Sequence, residues 1–128
     1  MNYVHIVAVL AILQFFAFGI QVGRARGTYG IKAPATSGHE LFERAFRVHM
    51  NTLEQLVAFL PALLIASLYW PNGIVAGIGV VYLIGRILYR RSYMADPARR
   101  ALGFLLTVLP TFVLLAASLL GAVSRHAA

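Results

Sequence analysis

Cysteine is absent from this chain of 128 residues, and only Glu40, Glu43, Glu54 and Asp96 are carboxylates. The first absence removes disulfides, thiolate nucleophiles and thiolate metal sites. The second leaves eleven lysines and arginines largely uncompensated, at a formal net charge of +7. Charged residues make up 12 % of the sequence, about half of what a soluble domain carries. In their place, 60 % of the residues are hydrophobic, and the mean hydropathy is +0.78. So short and apolar a chain reads as one polytopic membrane domain over residues 1–128. A charge of this size can signal nucleic acid, but here the basic residues cluster beside apolar spans. That placement points to anionic lipid headgroups or a small anionic ligand, and away from nucleic acid.

A spanning helix needs ~20 residues, and four segments qualify: about 3–22, 41–70, 74–92 and 99–123. The first lacks the basic start and small-residue cleavage site of a signal peptide, so it reads as a mature helix. Trp70-Pro71-Asn72-Gly73 alone separates the second from the third, a tight turn with Tyr69 and Trp70 at headgroup depth. The connection from Gly23 to His39 is longer and rich in turn residues. The last connection is short and basic. Arg24, Arg26, Lys32, Arg44 and Arg47 flank the first connection, and Arg86, Arg90, Arg91, Arg99 and Arg100 flank the third. Ten of the eleven basic residues therefore fall on one side, with Arg125 alone on the other. The positive-inside rule predicts cytoplasmic first and third connections and both termini opposite. The expected fold class is all-α, a four-helix transmembrane antiparallel bundle.

One stretch breaks the apolar pattern. On a helix, Glu43, Arg47, Asn51 and Glu54 fall at roughly 0°, 40°, 80° and 20°, which is one narrow polar stripe. Ionisable groups at membrane depth are expensive and by default face partners or ligands. Tyr82, Arg86, Tyr89 and Tyr93 form a second stripe, about 60° wide, at the same end of the third helix. With Arg26 from the first connection and Arg100 before the fourth helix, the result is a cationic, hydroxyl-rich site. It suits a small anion with more than one acidic group, because guanidinium forks grip carboxylates in pairs. Glu54 or Glu43 would receive an ammonium. An arginine beside a thiol would favour the thiolate.

Plainer readings exist for several of these residues. Arg90, Arg91, Arg99 and Lys32 read as topogenic charges, and Arg24 and Arg44 as snorkelling side chains. The tyrosines alone would make an interfacial belt, and Glu43 with Arg47 an i,i+4 ion pair. His49 falls at roughly 240°, off the stripe, and His5 and His126 are terminal, so no metal site is expected. Pro61 and Pro110 read as kinks, and Gly73, Gly77, Gly79 and Gly85 as packing positions.

The run from Phe42 to Glu54 resembles the signature of the superfamily of membrane-associated proteins in eicosanoid and glutathione metabolism (MAPEG): F-E-R, an arginine, an asparagine four residues on, and a glutamate three beyond. Val81 to Arg86, with Tyr89 and Tyr93, resembles the family too, and the four-span layout covers nearly the whole chain. The resemblance implies a homotrimer holding glutathione between neighbouring subunits near the cytoplasmic face. It places glutathione binding on Arg26, Arg47, Asn51, Glu54, Arg86, Tyr89 and Tyr93, and thiolate stabilisation on Arg100, with Arg99 as a substitute. The implied activity is a membrane glutathione transferase, with peroxidase activity as a second expectation, acting on lipophilic small molecules that arrive from the membrane lipid. Two positions depart from the family's pattern: Gln55 stands where the eicosanoid-forming members carry a tyrosine, and Gly27 where the leukotriene-forming member carries a second arginine. Both argue against a leukotriene-specific enzyme. They keep open a non-catalytic adaptor that binds lipid or metabolite on the same fold.

Overall fold

The computed structural model describes residues 1–125 and contains four long helices: α1 (Tyr3–Tyr29), α2 (Glu40–Tyr69), α3 (Asn72–Ala95) and α4 (Ala101–Ser124). A single turn of 3-10 helix, Pro97–Arg99, precedes α4. At 1.5 Å per residue, helices of 24 to 30 residues run about 36–45 Å, enough to cross a hydrocarbon core of ~30 Å. All four are also apolar enough to do so. Among the described residues there is no strand.

The helices form an antiparallel bundle. α2 and α3 are central, each packing on the other three, whereas α1 and α4 lie apart on the flanks. Large apolar side chains cover the outside, among them Val57 (70 % exposed) and Leu119 (67 %). In water such a surface would be untenable; facing acyl chains it needs no cover. The interior is small and tightly fitted. Phe59 stacks on Tyr82 with ring centroids 3.7 Å apart, and Val4, Val7, Leu63 and Leu114 close around them.

Small residues let the helices approach. A Cβ on Gly79 would lie 2.7 Å from Val7, and one on Gly85 would lie 2.7 Å from the carbonyl oxygen of Leu106. That carbonyl is the one Pro110 cannot bond from four residues on, for want of an N–H. Gly85 therefore lies against a freed acceptor, a contact that only a bare Cα–H can make. Gly73 and Gly77, expected to serve packing, face open space within the protomer. Gly103 and Gly121 take that role instead, against the Tyr89 backbone and the Tyr69 ring.

The helix ends differ from the sequence expectation in one informative place. α1 does not stop near Val22 but continues to Tyr29, which puts Arg24 and Arg26 on the helix rather than in a loop. Val22, Ala25 and Tyr29 pack with Ile31, Phe42 and Ala45, so this last part has an apolar face of its own. Gly30, at φ 68°, supplies the left-handed cap that ends it. His39 caps the start of α2: its Nδ1 accepts from Leu41 N–H at 3.1 Å while its ring stacks on Tyr29. The end of α1, the start of α2, the end of α3 and the start of α4 meet at one end of the bundle. That end carries the ten clustered basic residues. At the other end the Arg125 guanidinium lies 4.6 Å from the Trp70 ring centroid, and Trp70 Nε1–H donates to Ala117 O at 2.8 Å.

Candidate functional site

The polar stripe of α2 divides in two. Buried residues of this helix (Ala45, Val48, Thr52, Leu56, Phe59) centre near roughly 180° on the same wheel, so the stripe's far edge at Asn51 turns inward. Arg47 and Glu54, at its centre, remain on the surface, about half exposed. They pair across two turns, Nη2 to Oε1 at 3.3 Å. The plainer reading of Glu43 with Arg47 as an i,i+4 ion pair is not met. Glu43 instead accepts from the Gly38 N–H at 3.1 Å, and Arg44 pairs with Glu40.

Asn51 reaches the interior because α3 offers it a partner. Arg86 is fully buried; its Nη2 donates to Asn51 Oδ1 at 2.9 Å and Thr52 Oγ1 at 3.0 Å, and its Nη1 to Thr107 Oγ1 at 3.3 Å. Its guanidinium also lies 4.3 Å from the Tyr89 ring centroid, and Tyr89 stacks on Tyr93 at 5.5 Å. The α3 stripe is thus the interior face of its helix and not an interfacial aromatic belt: Tyr82 is fully buried and Tyr89 nearly so.

Where the stripe emerges, α2 and the last turn of α3 frame a cleft of about 510 Å³ at the basic end. Arg47, Arg44, Glu40, Glu43, Phe46 and Tyr93 line it, with Thr36 and Pro97 at the rim. Arg44, read as a snorkelling side chain, has a more definite task. Its Nη1 donates to the carbonyls of Met94 (2.9 Å) and Ala95 (3.2 Å), placing a cation on the negative end of α3 and tying it to α2.

Of the sequence candidates, Arg47 and Tyr93 meet on the cleft, Glu54 pairs with Arg47 beside it, and Asn51, Arg86 and Tyr89 form the polar layer within the bundle. Arg26 and Arg100 stand apart. Arg26 donates to Ala35 O at 2.8 Å and covers the Phe42 ring. Arg100 donates to Pro97 O at 2.8 Å and borders a separate hollow with Ala98, Ala101 and Phe104. Gln55 opens onto a third hollow of about 340 Å³ between α2 and α4, lined by Phe104, Val108, Thr111 and Phe112. His49 stacks on Phe15, with Gly19 making room for it on α1. His126 lies outside the described residues.

Sequence reasoning missed Thr52, Thr107 and the capping role of Arg44. Thr107 had a signal. Gly103, Thr107, Thr111, Leu114, Ser118 and Gly121 recur at intervals of four and three along α4, and all are buried. Leu114 apart, this stripe of small and polar residues is the inward face of an otherwise uniformly apolar helix.

Fold and site together define a multi-pass membrane protein with a cation-lined cleft at one end of a four-helix bundle. The chain belongs to the MAPEG family, whose pattern matches residues 4–120. An uncharacterised protein of Synechocystis sp. is 44 % identical over 115 residues, covering 90 % of this chain and 84 % of its own. Microsomal glutathione S-transferase 2 of Homo sapiens is 35 % identical over 102 residues, 80 % of this chain and 69 % of its own. Leukotriene C4 synthase of Rattus norvegicus is 35 % identical over 94 residues, 73 % and 63 % respectively.

Proposed function

We propose that this protein is an integral-membrane glutathione transferase that conjugates glutathione to lipophilic electrophiles. The observation that carries this reading is that Arg47 and Tyr93 meet on one cleft, with Glu54 paired to Arg47 beside it, in a chain related to a glutathione transferase. A volume of about 510 Å³ suits a small ligand. Glutathione brings two carboxylates, one ammonium and one thiol. The exposed Arg47–Glu54 pair is well disposed to exchange partners with its glutamyl end, Arg47 taking the carboxylate and Glu54 the ammonium. Asn51, Tyr89 and Tyr93 add neutral hydrogen bonds, and Arg86 supports Asn51 from behind.

Arg26 and Arg100 do not reach this cleft within one protomer. Binding between the subunits of a homotrimer, with the basic end in the cytoplasm, would bring both to the ligand. Arg100 is assigned to the thiolate. The sulfur then attacks the electrophilic carbon, a C–S bond forms, the leaving group departs with its electron pair, and the thiol proton goes to solvent. The hollow beside Gln55 and Phe104, lined mainly by apolar side chains, would admit the electrophile sideways from the acyl chains. With a lipid hydroperoxide in its place, two glutathiones would give the alcohol, water and glutathione disulfide. Gln55 and Gly27 favour the second reading, a non-catalytic adaptor for a membrane lipid or metabolite.

Calorimetry on the detergent-purified protein separates the two, because an adaptor shows no saturable heat with glutathione. A transferase binds it and conjugates an aryl chloride with release of chloride. Arg100→Ala should keep glutathione affinity within about threefold while turnover falls about 10²-fold or more. Unchanged turnover removes Arg100 from the thiolate.

A further inference from the structure

Arg86 is the largest fully buried side chain, and among the described residues no carboxylate pairs with it. All three of its partners are neutral, and each is turned the same way. A guanidinium has donors and no acceptor, so the Asn51 atom at 2.9 Å is necessarily the carbonyl oxygen. Thr52 donates its hydroxyl proton to Val48 O at 2.8 Å and Thr107 to Gly103 O at 2.9 Å, leaving only lone pairs for Arg86. In a planar amide the NH₂ group points away from the side on which the oxygen is held. Asn51 is 8 % exposed, and on the helix wheel its outward side is the one that carries Arg47 and Glu54, so with Oδ1 held in the bundle Nδ2 is the atom left for that side.

We propose that Arg86 is a positioning residue that locks Asn51 as a hydrogen-bond donor, so that the ligand group meeting Asn51 is an acceptor: a carboxylate, a peptide carbonyl or a thiolate. An ammonium is refused at this position and is left to Glu54. The ligand's identity rests on the glutathione reading; the orientation of Asn51 does not.

Asn51→Asp separates the possibilities because it changes one atom. Aspartate would give the buried guanidinium a carboxylate partner, so the melting temperature of the purified protein should hold or rise. It would also replace the donor that faces the ligand with an acceptor, and calorimetry should show glutathione affinity falling about tenfold or more. Stability and binding moving in opposite directions is a result that a merely structural asparagine does not give. Affinity that is unchanged or tighter would overturn the proposal, since a carbonyl offered to an ammonium is improved by a second oxygen. A lower melting temperature would overturn the Arg86 lock itself.

Should Asn51→Asp fail to fold, the wild-type protein labelled with [¹⁵N]asparagine still decides the matter. The chain has three asparagines, Asn2, Asn51 and Asn72, hence three side-chain NH₂ pairs to follow. Glutathione should shift the Asn51 pair, and a pair that stays still while binding saturates overturns the donor role. Wild-type protein without saturable glutathione binding refutes the transferase reading instead, and the Asn51→Asp melting temperature still tests the lock.

Discussion

At the scale of single residues, the site is a division of labour between exposed and buried charge. The Arg47–Glu54 pair is about half exposed on both sides, and pairs of that kind contribute roughly 0–1 kcal/mol to stability. Glu54→Gln should therefore leave the melting temperature within about 2 °C. If Glu54 receives the glutamyl ammonium, the same substitution should weaken glutathione binding about tenfold by calorimetry. The stripe from Glu43 to Glu54 was legible in the sequence because its period is local. Its division was not: whether Asn51 turns outward with Arg47 or inward depends on a guanidinium 35 residues away on another helix. Arg44 shows the same limit, since its partners are backbone carbonyls that belong to no motif.

At the scale of elements, the four helices followed from length and hydropathy, and their ends were blurred where polar residues continue a helix. Gly23, Arg24, Arg26 and Gly27 read as a loop, yet Val22, Ala25 and Tyr29 give this stretch a buried side, and the helix persists until Gly30. Glycine roles were legible only in kind. Gly85 and Gly77 are both helical, but only Gly85 lies against a neighbouring backbone. Gly85→Ala should destabilise by about 1–3 kcal/mol through overpacking. Gly77→Ala, with open space ahead of it, should be neutral or gain up to about 1 kcal/mol of helix propensity. Thermal melts of the two variants, read by helical circular dichroism, check the contrast.

For the whole molecule, the asymmetry of charge predicts orientation. The absence of native cysteine makes that easy to test, since any thiol introduced is the only one. Ala35→Cys and Ala98→Cys, in the first and third connections, should resist a membrane-impermeant maleimide in intact cells, whereas Gly73→Cys should be labelled. Equal labelling at both ends would refute the proposed sidedness. The contact between Arg44 and α3 has a further consequence. Arg44 lines the cleft and also holds the last carbonyls of α3, so one guanidinium serves two claimants. Any anion that draws it into the cleft takes it from Met94 and Ala95, and the tie between α2 and the end of α3 is released. Occupancy of the cleft and the integrity of that tie would then be linked. An anion that leaves Arg44 on its cap is spared the work of undoing it.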